Sequence, residues 1–233
     1  SWSGTASCPR PPRKTMILPA LKISLQVALL ATLVVGALGT LAGWLLARRR
    51  FPGRELLDAL LSLPLVLPPT VTGYYLIALL GRRGLFGEPL YAATGWSIPF
   101  SWIACNIAAA VMAFPLMYRS ARVAFEGLDR RHELAAASLG LGRVATFFRV
   151  TLPLARRGLL AGVVLAFARA LGEFGATLML AGNIPGRTQT LPLAIYEAFS
   201  MGDDATALLL SGLLTVVSVT VMLIAGRMGR RAP

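Results

Sequence analysis

The sequence predicts an all-α polytopic membrane protein, a bundle of about five transmembrane helices. Apolar residues make up 56% of the 233-residue chain, more than a soluble core of that length needs. They gather into five runs, each close to the roughly 20 residues a helix requires to cross the hydrocarbon. The short alternating strands of a β-barrel would read differently.

The first run covers residues 23–47, the second 59–80 and the third 98–118. In the second, Pro64, Pro68 and Pro69 precede Thr70, Thr72 and Gly73. Prolines there predict a kink that frees backbone carbonyls near mid-membrane. Freed carbonyls need protein or water around them, which makes Thr70 and Thr72 candidates for lining a cavity; a bend that only improves packing is the plainer reading. The fourth run, residues 159–181, holds Arg169 and Glu173 four residues apart, which predicts one shared helical face. Gly172 and Gly175 beside them permit close helix approach. The outer loop at 182–206 offers a short interfacial helix over residues 192–199, entered at Thr190 or Leu191, in competition with a solvated loop. Asp203 and Asp204 then start the fifth run, residues 207–225, where a helix N-terminus favours negative charge.

Lys and Arg in short loops stay on the cytoplasmic side. Arg48, Arg49, Arg50 and Arg54 follow the first run, Arg119 to Arg157 crowd the long loop before the fourth, and Arg227, Arg230 and Arg231 close the chain. The opposite loops hold only Arg82, Arg83 and Arg187. The long loop and the C-terminus are therefore expected in the cytoplasm and, with an odd number of spans, the N-terminus outside. Arg10, Arg13, Lys14 and Lys22 break the rule. Residues 1–15 lack the apolar core of a signal peptide and are expected to be a disordered extension or start-site artefact, leaving a single transmembrane domain at 16–233. The net charge of +13 belongs to topology and anionic headgroups, not to nucleic acid. Cys8 and Cys105 predict neither a disulfide nor a metal site.

The most informative stretch lies in the cytoplasmic loop at about 126–157, DRRHELAAASLGLGRVATFFRVTLP. Gly127 stops the third helix, Asp129 suits an N-cap, and a short helix over residues 130–139 ends at Gly140 and Gly142. Ala135, Ala136 and Ala137 let it lie close to another surface, with Leu134 and Leu139 as apolar anchors and Glu133 for polar contact. Beyond Gly142, a second helical stretch carries Val144, Phe147 and Phe148 before Leu152 and Pro153 turn toward the bilayer. A hairpin packed on its own bundle would also fit, and the membrane tether at both ends argues against a DNA-reading helix-turn-helix.

This segment resembles the cytoplasmic coupling loop of ABC-importer permeases: Glu-Ala-Ala, three residues, Gly, nine residues, Ile, one residue, Leu-Pro. Ala135, Ala136, Gly140, Leu152 and Pro153 match; Val150 replaces Ile, and Leu134 takes the Glu position with Glu133 one residue early. FPGRELLDALLSLPLVLPPTVTGY, LAFARALGEFGAT and NIPGRTQTLPLAIYE are similar to molybdate-transport permeases, and sulfate permeases share the Leu-Gly-Glu-Phe-Gly stretch. The resemblance implies a type I importer permease (MetI-like) fold in the inner membrane. It also implies a homodimer, two ATP-binding cassette subunits on the cytoplasmic side, and an outer oxyanion-binding protein. On that reading Arg169 gives positive potential to a passing dianion and Glu173 holds it in place; a buried pair that fixes helix register is the alternative. The chain itself is not expected to be an enzyme or to hold a cofactor. It has no Gly-rich loop with a phosphate-binding Lys, so ATP and Mg would be bound by the partner subunit. An ion-coupled secondary transporter would need matched broken halves, and a membrane hydrolase would need more than His132.

Overall fold

The computed structural model describes the backbone of residues 13–49 and 51–231 and the side chains of 17–49 and 51–224. Residues 1–12, most of the expected extension, lie outside it together with Cys8 and Arg10, as do the side chains of Arg227, Arg230 and Arg231. Among the described residues every regular element is helical.

Three helices form the core. α1 (Arg13–Arg48) starts ahead of the first apolar run and already includes residues 13–15. α5 (Trp102–Glu126) is capped by Ser101, whose Oγ accepts from Ala104 N at 3.2 Å. α8 spans Leu152–Leu171. Their contacts are set by glycine. A methyl group on Gly39 would lie 2.8 Å from Met117 Cγ, and one on Gly43 would lie 2.7 Å from both Ala121 Cβ and Arg122 N. α1 and α5 therefore run parallel with backbones almost touching. On the other flank, methyls on Gly158 and Gly162 would meet Ala124 Cβ at 2.5 Å and Ser120 Cβ at 2.8 Å, so α8 runs antiparallel to α5. Lipid tails are as apolar as leucine, and helices in a bilayer associate through this kind of close dispersion contact. Gly43→Leu is accordingly expected to lower the thermal unfolding midpoint in detergent, by overpacking worth about 1–3 kcal/mol. Gly36→Leu, where a methyl meets nothing within 4 Å, should leave it in place.

Because α1 and α5 are parallel, the chain between them must return across the membrane. It does so in two pieces, α2 (Arg54–Val66) and α3 (Pro69–Leu80), bent by 115°. The second apolar run is thus not a kinked helix but a broken one. Leu67 and Pro68 are extended at ψ 141° and 138°, as expected of residues that precede proline, and Pro69 opens the next helix where its missing N–H costs nothing. A polar network anchors α2 to α5. Tyr118 Oη donates to Asp58 Oδ1, Arg122 Nη1 pairs with Asp58 Oδ2 at 2.9 Å, and Arg54 Nη2 and Arg122 Nε both reach Glu126 Oε1, at 3.0 and 2.9 Å.

α4 (Gly87–Thr94) leads into the loop before α5. The expected fourth span over residues 159–181 is also interrupted: α8 ends at Leu171, and α9 (Gly175–Ala181) continues after a break. The segment at 182–206 is not a solvated loop. It holds α10 (Leu191–Ser200), entered through Thr190, with Leu191, Leu193 and Ala194 buried and Leu191 N donating to Ser24 Oγ at 2.7 Å. α11 (Asp204–Arg231) follows. Asp203 caps it, accepting from Thr206 N at 3.1 Å and from Thr206 Oγ1 at 2.7 Å. α11 packs on α8 and α10 but leaves Leu208, Val216, Leu223 and Ile224 exposed.

Candidate functional site

At the end of the bundle where α1 and α5 finish, Gly127 stops α5 and a short helix, α6 (Arg131–Ser138), begins. Asp129 is not the N-cap: α6 starts one residue later than expected, with Arg130 at the cap and no side-chain cap bond, and Asp129 Oδ1 accepts from Arg131 N at 2.9 Å from just outside it. α6 closes in a Schellman turn. Leu141 N donates to Ala136 O at 3.1 Å and Gly140 N to Ala137 O at 3.0 Å, with Gly140 at φ +83°. That left-handed geometry is why a glycine stands there.

After Gly142, α7 (Arg143–Thr146) passes through a π-helical turn, Phe147–Thr151, directly into α8. Leu152 and Pro153 therefore do not turn the chain. Pro153 directly follows the π-helical turn, and the helix enters the bundle without a corner. Phe147 seats this hairpin: its ring lies 5.0 Å from Trp44 edge-on and 6.3 Å from Phe125. Ala136 is buried against the hairpin.

The opposite face of α6 and α7 is bare. Leu134, Leu139, Val144 and Phe148 are 68%, 81%, 73% and 61% exposed, and Ala135, Ala137 and Gly140 are exposed between them. Four large exposed apolar side chains on a ledge at the end of the bundle form the kind of patch that marks a protein interface. Glu133 is not among them. It turns back toward the bundle, where Oε1 meets Arg48 Nη2 at 2.9 Å and accepts from Thr151 Oγ1 at 3.0 Å. Val150 and Leu152 are half-buried. Of the residues predicted for the coupling loop, the structure thus brings Leu134, Ala135, Ala137, Leu139 and Gly140 to the outer face and sends Glu133 and Ala136 inward.

The second candidate group lies deep in the bundle. Arg169 and Glu173 do form an ion pair, Nη1 to Oε2 at 2.5 Å, but not on one continuous helix face. α8 ends at Leu171 with Gly172 as its C-cap, and Glu173 stands in the break. Its other oxygen accepts from Ala176 N at 2.8 Å, so Glu173 caps α9 while it pairs with Arg169. The carboxylate is 2% exposed and the guanidinium 26%. Gly175 makes the predicted close approach: a methyl there would lie 2.9 Å from Pro69 Cβ. Gly172 does not, being exposed with only Ala168 O near it, at 3.6 Å. A methyl on Gly73 would lie 2.9 Å from Ala176 Cα, which makes α3 and α9 parallel with the two span breaks side by side. Thr72 is buried at this joint and its Oγ1 has no partner among the described residues; Thr70 is exposed.

Sequence reasoning missed the glycines that weld α1 and α8 to α5, although Gly39 and Gly43, and Gly158 and Gly162, each form a Gly-x-x-x-Gly pair that signals close packing in membranes. It also missed Arg48 and Thr151 as partners of Glu133, which no local pattern announces.

Comparison with known proteins agrees with this architecture. The chain is 53% identical over 177 residues to the molybdenum transport system permease protein ModB of Escherichia coli (strain K12), covering 76% of this chain and 77% of that protein. It is 37% identical over 221 residues to the sulfate transport system permease protein CysT of the same organism, covering 92% and 79%. Among solved structures it superposes on a chain of the MetNI methionine ABC transporter in inward-facing conformations, with a TM-score of 0.76 at 16% identity over 97% of this chain and 100% of that one, which bears out the MetI-like fold. The family of binding-protein-dependent transport system inner membrane components matches residues 38–232, and the chain belongs to it.

Proposed function

We propose that this chain is the permease subunit of an ATP-driven molybdate importer. Two copies form the passage, an ATP-hydrolysing subunit docks on the α6–α7 ledge of each, and an outer binding protein delivers the anion. The bare apolar ledge of Leu134, Leu139, Val144 and Phe148 is the observation that supports the docking role. The higher identity to the molybdenum permease than to the sulfate permease supports the cargo. The Arg-rich ends at Arg48, Arg49 and Arg54 and in the loop around α6 face the cytoplasm on this reading, the C-terminus with them and the N-terminus outside. The machinery for ATP and Mg belongs to the partner.

In this mechanism, ATP binding draws the two docked ledges together and opens the passage outward; hydrolysis resets it. The ATPase shifts the equilibrium because it meets the ledge in different positions in the two states. Arg169, whose edge stays exposed while Glu173 is buried, supplies a weak positive potential along the passage beside the broken spans.

The test is the complex in liposomes, with ATP turnover measured against binding protein loaded with molybdate, tungstate or sulfate. Molybdate-loaded protein is expected to stimulate turnover most; equal or greater stimulation by sulfate would transfer the assignment to that anion. The docking surface has its own check. A cysteine at Leu139 should crosslink to the ATPase in intact cells, whereas one at buried Ala136 should not, and the reverse pattern would place the contact elsewhere.

A further inference from the structure

Glu133 carries an assignment beyond docking, one that rests on the importer reading above. The acidic position of the coupling-loop pattern is taken here by exposed Leu134, and Glu133, one residue earlier, faces the bundle instead. A single carboxylate oxygen, Oε1, joins three elements: α6 through Glu133 itself, the last turn of α1 through Arg48 Nη2 at 2.9 Å, and the π-helical turn through Thr151 Oγ1 at 3.0 Å. The node is enclosed. The Arg48 side chain is 12% exposed, that of Glu133 27%, and Thr151 is 2% exposed. Beside it, Trp44 on α1 packs edge-on against Phe147, and Arg130 Nη2 reaches the carbonyl of Arg48 at 3.5 Å.

Covalently, α6 is tied to α5 by a short linker and to α8 through α7. Its only ion pair with α1 shown among the described residues is this node, with Arg130 at its N-cap adding the contact to the Arg48 carbonyl. We infer that Glu133 is a positioning residue that couples α6 to α1 through Arg48, so that displacement of the docked ledge moves α1 along with α8, and that it makes no direct contact with the ATPase. The geometry favours this role because two opposite charges 2.9 Å apart and largely enclosed cannot part without leaving a charge uncompensated. An Ala-rich helix, with only Ala136 buried beneath it, has little other grip on its support.

The experiment uses the assembled complex in liposomes with molybdate-loaded binding protein. It reads three quantities: ATPase capture, turnover with and without loaded binding protein, and molybdate taken up per ATP hydrolysed. Arg48→Gln, a change outside the docking ledge, should still capture the ATPase but lower uptake per ATP about fivefold or more, within the usual range of coupling between sites. Glu133→Gln should follow it in direction. The reversed pair Arg48→Glu with Glu133→Arg should recover a substantial part of the loss, which a contact between Glu133 and the ATPase would not allow. Thr151→Val, which removes one hydroxyl and keeps the side-chain shape, should move the same ratio by less and guards against a pair variant that fails to insert. The inference is overturned if Glu133→Gln abolishes ATPase capture while Arg48→Gln is silent, or if all the single variants couple like the parent. Loss of molybdate stimulation in the parent complex would instead count against the importer reading and leave the node's role to be judged by ATPase capture and the reversed pair.

Discussion

Gly140→Val is expected to reduce anion uptake by about tenfold or more while leaving the protein in the membrane. Gly140 sits at φ +83° at the centre of the Schellman turn, and a β-branched residue held there costs about 1–3 kcal/mol. Nothing lies within 4 Å of a methyl at this position, so the effect is backbone strain and not a clash. α6 relieves the strain by unwinding its last turn, which carries Leu139 off the ledge. A 1.4 kcal/mol loss of docking is already a factor of ten. Uptake by the reconstituted complex checks it, with unfolding temperature measured in parallel. Asn, which tolerates the left-handed region, should fall between Gly and Val; equal activity for all three would remove the turn from the coupling mechanism.

Arg169→Ala is expected to lower both stability and transport. The change strands the Glu173 carboxylate, 2% exposed, with Ala176 N still donating to one of its oxygens. Breaking a buried pair from one side costs about 3–5 kcal/mol, a large part of the stability of most domains. The double variant Arg169→Ala with Glu173→Gln separates two roles, because Gln still presents an acceptor to Ala176 N and leaves no buried charge. Its unfolding temperature should recover most of the loss while molybdate uptake stays low. Full recovery of uptake would confine the pair to holding the α8–α9 break together.

Much of the architecture is written in local signals. Gly127, Gly140 and Gly142 delimit α6 and the hairpin beyond it because helix stops and left-handed turns are short-range requirements that the residues themselves must meet. The apolar runs mark α1, α5 and α11 for the same reason. The breaks are less legible. Pro68 and Pro69 announce an interruption, but its 115° angle depends on where α3 finds support, namely on α9. In the stretch Leu171 to Gly175, apolar neighbours hide the end of a helix, so Arg169 and Glu173 read as residues on one face when one of them caps the next element. The inward turn of Glu133 is of a third kind: its partners are 85 positions before it and 18 after it in the chain, and only the packing of α6 on α1 and the π turn chooses them.

The glycine contacts along α1, α5 and α8 also constrain how such a protein changes shape. Backbones this near one another have no side-chain cushion to absorb sliding, so the trio has to tilt as a solid block. Compliance is then left to the interrupted segments at Leu67–Pro69 and Gly172–Phe174, which lie against each other. A molecule with a stiff keel and adjoining elbows swings about a single place, and stapling Gly73 to Ala176 there would be expected to freeze it in one posture.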